Sequence, residues 1–270
     1  MSKNEHKAVV LRKEQLTPHM IRVVVGGEGL RGFATEGLTD QYVKLVFPHE
    51  GVEYPQPFSV QNVRENMPRE VWPRLRTYTV RAWDPDTLEL TLDFVYHGDE
   101  GLAGPWAAHA QPGDVLHLLG PGGGYAPDPG AAWHLLAGDE SALPAIAAAL
   151  EALPDEAVAQ VFVEVEGPVE EQKLPRQVTW LYRGERPAGQ ELVAAVRALE
   201  FPEGEVHAFV HGEAGFVKEL RRHLRVERGV PMERLSISGY WRLGVDDEGW
   251  RAVKRDWNQA VEAEESAALS

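Results

Sequence analysis

The chain has 270 residues, 43% hydrophobic and 26% charged, and its 27 Lys and Arg stand against 42 Asp and Glu for a net charge of −15. That is a globular composition, long enough for about two domains, and its acidity argues against nucleic acid or anionic lipid as a partner. With no cysteine, the chain can build no disulfide, no zinc–thiolate or cysteine-held iron–sulfur site, and no thiol nucleophile.

The segment Met1–Lys7 is polar and lacks the apolar stretch of a secretory signal. Runs at Val9–Leu11, Met20–Val25, Tyr42–Phe47, Leu75–Ala82, Thr87–Tyr96 and Asp114–Leu119 then read as short strands between turn residues. Six strands without a long helix among them predict an antiparallel β-barrel or sandwich. Gly120–Gly124 is glycine-rich, but no helix follows it promptly, so it is read as a hinge loop and not a dinucleotide fingerprint.

Beyond about residue 128 the pattern changes to alternating strands and helices. Strands are predicted at Trp133–Ala137, Val158–Val165, Val178–Leu181, Val206–Val210 and Leu235–Tyr240, and helices at Leu143–Leu153, Glu191–Leu199 and Phe216–Arg228. Such alternation predicts a parallel α/β sheet, giving domains 1–127 and 128–270. The apolar run Ala142–Leu150 contains Pro144 and is too short to cross a bilayer, so a cytoplasmic protein without membrane insertion is expected. From Asp246 onward, Trp250, Val253, Trp257 and Val261 fall on one helical stripe, flanked by Arg251, Lys254 and Arg255. The acidic stretch from Glu262 is expected to fray.

The most informative segment is Arg76-Thr77-Tyr78-Thr79-Val80-Arg81. On a strand, Arg76 and Tyr78 share one face and Thr77, Thr79 and Arg81 the other. A guanidinium suits a phosphate and a phenol ring suits a flat heterocycle, although spacing alone favours an ordinary barrel strand with solvent-facing Arg and Thr. The next segment, Asp93 to Ala107, runs from a strand into a glycine-punctuated turn and a helix start, whose backbone amides favour anions. His207 and His211 lie roughly 13 Å apart along a predicted strand, too far to share a metal. No metal cluster and no serine-hydrolase elbow stands out.

Taken together, R-T-Y-T-V-R, D-F-V-Y-H-G-D-E-G, A-G-P-W-A, G-P-G-G-G-Y, A-G-D-E-S-A-L-P-A-I, H-G-E-A and S-G-Y-W-R-L-G resemble the siderophore-interacting protein family, flavin-dependent ferric-siderophore reductases related to ferredoxin–NADP reductases. The resemblance implies a FAD-binding barrel followed by an NAD(P)H-binding-like α/β domain. It implies that Arg76 meets a flavin phosphate, Tyr78 stacks on the isoalloxazine and Thr79 approaches its reactive edge. His97, Gly101, Ala103, Gly104, Trp106 and Ala107 would surround the rest of FAD, Asp139 and Ser141 would add cofactor contacts, and Trp241 would close over the flavin. Lys44 matches a position of the family's basic pocket for anionic siderophores, which Arg251, Lys254 or Arg255 would complete.

No side chain is then required as acid, base or nucleophile, since the flavin relays electrons from NADPH, NADH or reduced ferredoxin to Fe(III). Two departures from the family pattern are visible. Gly101-Leu102-Ala103-Gly104 stands where a serine is usual, and His211-Gly212-Glu213-Ala214 stands where Ala-Gly-Glu-Ala is usual. The other readings are a generic flavin reductase or electron carrier, indifferent to Lys44, and a non-enzymatic siderophore-binding module, which would not need Arg76 to Thr79.

Overall fold

The computed structural model describes residues 5–269; Met1–Asn4, part of the polar segment read above, and Ser270 lie outside them. The chain divides after Gly124 into two compact units.

The first unit is a closed barrel built from β1 (Glu5–Thr17), β2 (Met20–Gly26), β3 (Tyr42–Phe47), β4 (Arg74–Asp84), β5 (Glu89–Val95) and β6 (Val115–Gly122). The strands pair in the order β1-β2-β5-β4-β3-β6, all antiparallel. Alternate residues point inward, so Ala8, Val10, Ile21, Val23, Val25, Val43, Leu45, Leu90, Leu92, Phe94, Leu116 and Leu118 fill the interior. Two seven-residue helices accompany the strands, α1 (Val60–Asn66) and α2 (Ala103–His109). The side chain of Ser59 caps α1 by accepting from the Asn62 amide at 3.0 Å. Ala103, Ala107 and the following Ala110 pack on the barrel core, so the small side chains of α2 let it seat closely. The glycine-rich stretch is in part strand rather than hinge: Gly122 closes β6 and faces Tyr42 of β3.

The second unit holds β7 (Trp133–Gly138), α3 (Leu143–Ala152), β8 (Ala159–Val165), β9 (Thr179–Tyr182), α4 (Gln190–Ala198), β10 (Val206–Glu213), α5 (Ala214–Arg222), β11 (Leu235–Trp241) and α6 (Asp247–Leu269). Its five strands are parallel, in the order β11-β10-β7-β8-β9. The chain therefore moves outward from β7 to β9, then returns to the other side of β7, and the order reverses between β7 and β10. Ligands of open α/β sheets bind at the carboxyl ends of the strands flanking such a reversal.

Three sequence expectations for this unit change. The helix after β10 gives way at His223 to a π-helical turn reaching Glu227, where His223 and Glu227 bond at 2.8 Å. The packed stripe of α6 is buried Trp250 and Val261 with half-buried Lys254 and Trp257, while Val253 is 45% exposed. Spacings of four, three and four hold one face as well as the predicted set. The acidic end of α6 stays helical to Leu269 because Glu265 accepts from Arg221 at 2.6 Å and Arg225 at 2.8 Å, while Lys218 donates to Glu264 at 2.9 Å. No described helix is long and apolar enough to cross a membrane.

Candidate functional site

In the barrel, the β3–β4 register decides which predicted residues share a face. Val43 lies opposite Tyr78 and Leu45 opposite Arg76, and both partners are interior residues. Arg76 and Tyr78 thus project to the barrel's inner side, half-buried. Lys44 faces Thr77 and Tyr42 faces Thr79 on the outer side. The alternation expected through Arg81 breaks there, since pairing with β5 passes from Val80 directly to Ala82.

Pairing between β4 and β5 begins only at Val80 and Leu92. From Arg74 to Thr79, β4 is paired to β3 alone. The segment that carries Arg76, Tyr78 and Thr79 thus lies at an opening in the β4–β5 ladder. Side chains flank this opening as a row of rings: Tyr78 to Phe94 at 4.4 Å, Phe94 to Trp106 at 5.6 Å, and Trp106 to Phe47 at 5.9 Å. The Arg76 guanidinium donates to the carbonyl of Leu75 at 3.1 Å.

The remaining barrel residues follow β5. His97 is exposed, its ring 5.9 Å from that of His19, and Gly101 lies in the exposed turn before α2. Ala103, Gly104 and Ala107 are buried under α2. A side chain at Gly104 would begin 3.0 Å from the carbonyl of Val95, so only glycine lets α2 approach β5 this closely. Phe47 and Phe94 were missed by the sequence reading; their apolar alternation marks a barrel interior, but not one next to Tyr78 and Trp106.

This arrangement fits a flavin dinucleotide. Aromatic rings supply a stacking surface for a flat heterocycle, and the adjacent guanidinium can hold a phosphate through paired N–H groups. No cluster of three or more His, Cys, Asp or Glu suited to a metal occurs among the described residues.

In the α/β unit, Asp139 follows β7 at the reversal of strand order and is buried. Its carboxylate accepts from the Ser141 amide at 2.9 Å, the Ser141 hydroxyl at 2.5 Å, the Glu213 amide at 2.8 Å and the Trp241 indole N–H at 2.8 Å. The structure thus brings Asp139, Ser141 and Trp241 together and joins them to each other. Burial, with the charge of Glu140 beside it, pushes the Asp139 carboxyl up to about 6 despite these bonds. Glu213 caps α5 through the Gly215 and Phe216 amides at 2.6 and 3.2 Å. Arg183 donates to Glu140 at 3.0 Å and lies 3.7 Å from Glu164, a fully buried carboxylate that also accepts from the Gly189 amide at 2.7 Å. Burial raises the Glu164 carboxyl.

The cations of α6 do not form one group. Lys254 lies on the packed stripe, where burial pulls its ammonium below the usual value. Arg251 and Arg255 are exposed, bonded to Asp247 at 2.6 Å and Asp256 at 3.4 Å. His211, within the field of Lys254, is buried between the rings of Phe209 and Tyr240 at 4.0 and 4.7 Å, and burial pushes its imidazole down to about 3.

Comparison with known proteins agrees with both units. Residues 9–125 match the model of the siderophore-interacting FAD-binding domain, and residues 131–244 that of the siderophore-interacting protein. The chain belongs to the siderophore-interacting protein family. Among its relatives, the ferric vibriobactin reductase ViuB of Vibrio cholerae is 36% identical across 89% of this chain and 90% of its own. An NADPH-dependent ferric-chelate reductase of Escherichia coli is 32% identical, across 86% and 91%. The crystal structure of a siderophore utilization protein from T. fusca superposes with a TM-score of 0.79 at 38% identity, covering 92% of this chain and 96% of that one. The barrel followed by a parallel α/β sheet is the ferredoxin reductase-like fold.

Proposed function

We propose that this siderophore-interacting protein is a cytoplasmic FAD-dependent reductase that releases iron from ferric siderophores. Residues 1–127 would hold FAD and residues 128–270 would receive the electron donor, NADPH or NADH in the first instance and reduced ferredoxin otherwise. The observation that carries this reading is the half-buried Arg76 set beside the Tyr78–Phe94–Trp106 rings, on the part of β4 that precedes its ladder with β5. A pure siderophore-binding module has no need of such a grouping of guanidinium and rings.

Arg76 would bind phosphate, Tyr78 would offer its ring, and Thr79 would direct the backbone edge toward the heterocycle. The segment from His97 to Ala107, with Gly101, Ala103, Gly104 and Trp106, would enclose the remainder of the dinucleotide. Bound FAD accepts an electron pair from a nicotinamide and can pass electrons singly to Fe(III). Hard oxygen chelators hold Fe(II) far less tightly than Fe(III), so reduction is the release step. Lys44 of the barrel is the cation proposed for an anionic ferric complex, with Lys254, Arg251 and Arg255 of α6 as separate candidates, against an overall charge of −15 that otherwise repels it.

The test is anaerobic. The purified yellow protein is offered NADH, NADPH and reduced ferredoxin in turn, then ferric siderophores, with Fe(II) trapped by a chromogenic chelator. Flavin bleaching by a donor and reoxidation by ferric siderophore are expected. Lys44→Ala should raise the apparent KM for an anionic siderophore severalfold at unchanged flavin content. A protein that takes up no FAD, or yields no Fe(II) with any donor, sinks the reading.

A further inference from the structure

The carboxyl rim of the α/β sheet holds an arrangement that flavin binding by the barrel does not explain. At the reversal between β7 and β10, where an open α/β sheet usually gathers amides around a ligand's phosphate, this chain places a carboxylate of its own. Four donors reach Asp139 from three separate segments: Ser141 after β7, Glu213 at the end of β10, and Trp241 at the end of β11. Space for the carboxylate is made by Gly212. Its φ is +140°, and a side chain there would begin 2.5 Å from Asp139 Oδ2.

Oδ1 serves Ser141 and Oδ2 serves Glu213 and Trp241, so both oxygens are occupied. Trp241 is half-buried, and the four residues after it are exposed. An indole has a single polar atom, so a bond from that atom to a buried carboxylate fixes the tilt of the whole ring. Bonds to a charged acceptor are also the stronger kind. A second acidic group steadies the outgoing loop, as Glu213 accepts from the Leu243 amide at 3.3 Å.

We infer that Asp139 is a positioning residue: it holds the Trp241 indole in one orientation at the carboxyl rim of the sheet, as the platform for the flat ring of a nicotinamide donor. This rests on the reading above that residues 128–270 receive the donor. The charged groups around Asp139 are Glu140, Glu164, Glu213 and Arg183. Three carboxylates and one guanidinium leave this rim a poor seat for a second phosphate, so recognition falls to the ring rather than to the diphosphate.

The full-length FAD-loaded protein, labelled with 15N-tryptophan, tests this directly. The Trp241 indole resonance is assigned by its loss in Trp241→Phe. At pH 7.5 it should lie downfield and exchange slowly, and it should move as pH falls through about 6, where the Asp139 carboxyl takes a proton. Asp139→Asn keeps the volume but turns an NH2 toward two donors. It should abolish the downfield position and raise KM for the nucleotide donor about tenfold with kcat within twofold. Trp241→Phe should match it, and the double variant should be no worse, the signature of two residues acting as one.

A resonance unchanged in Asp139→Asn would overturn the anchoring. Should that variant not fold, a resonance flat between pH 5 and 8 in the unmutated protein would do the same. A Trp241→Phe variant with unaltered KM would overturn the platform alone. Unmutated protein that neither nucleotide reduces would instead overturn the donor reading, and the platform with it.

Discussion

The two units of this chain handle charge in opposite ways. Up to Gly124 there are 12 Lys and Arg against 16 Asp and Glu, a balance of −4; from Tyr125 onward there are 15 against 26, a balance of −11. In the barrel, Arg76 stands half-buried on the part of β4 that precedes its ladder with β5. In the α/β unit, the groups buried at the strand ends are carboxylates, namely Asp139, Glu140, Glu164 and Glu213. Under the proposed function, one region, the barrel, would keep a phosphate-bearing group in place. The other has filled its own anion position, which suits a ligand that must arrive and leave within each turnover.

Perturbing each region's arginine breaks the comparison most sharply on the α/β side. Arg183→Ala leaves Glu140 and Glu164 without their cation, and breaking a buried pair in this way costs about 3–5 kcal/mol. Urea unfolding at pH 7.5 should show that loss, reduced at pH 5 because burial already raises the stranded Glu164 carboxyl, with bound flavin unchanged. Flavin loss on this substitution would contradict the separation of roles.

His211 gives an effect of about 2 kcal/mol. Its imidazole is held neutral down to about pH 3, so between there and its ordinary value near 6.5 the native state binds fewer protons than the unfolded chain. Its contribution is therefore complete above 6.5 and is lost as pH falls. Asp139 has the opposite sign, since a carboxyl raised to about 6 makes the native state bind more protons between about 4 and 6. His211→Gln should narrow its stability gap to the unmutated protein by about 2 kcal/mol between pH 7.5 and pH 5. A gap independent of pH would mean that His211 titrates normally.

The smallest effect in free energy falls on the barrel. Arg76→Ala should weaken FAD about tenfold, near 1.4 kcal/mol, while the melting temperature of the flavin-free protein stays within a degree or two. Equilibrium dialysis against FAD measures the first and calorimetry the second. Undiminished flavin affinity would move the phosphate contact away from β4.

Much of this was legible in the chain itself. The period-two runs predicted the barrel strands, the strand–helix alternation predicted the parallel sheet, and the glycine-punctuated segment after Phe94 marked α2. Other features were not visible because they depend on partners far along the chain. The family resemblance made Asp139 and Ser141 cofactor contacts, and only the tertiary structure shows that they also bond each other and that Asp139 accepts from Glu213 and from Trp241, the last 102 residues away. The three α6 cations looked equivalent until the packed stripe took Lys254 and left Arg251 and Arg255 outside. The acidic tail read as unstable because Arg221 and Arg225 lie 44 and 40 residues earlier.

Local pattern therefore determined which segments are strands, which are helices, where the grammar changes and which family the motifs resemble. Hydrophobic period is a property of neighbours, and a handful of adjacent residues carries it. Tertiary structure alone decided where the β4–β5 pairing stops and which carboxylate fills the reversal of the sheet. Both follow from strand register and burial, which bring distant segments together and set the cost of every unpaired charge.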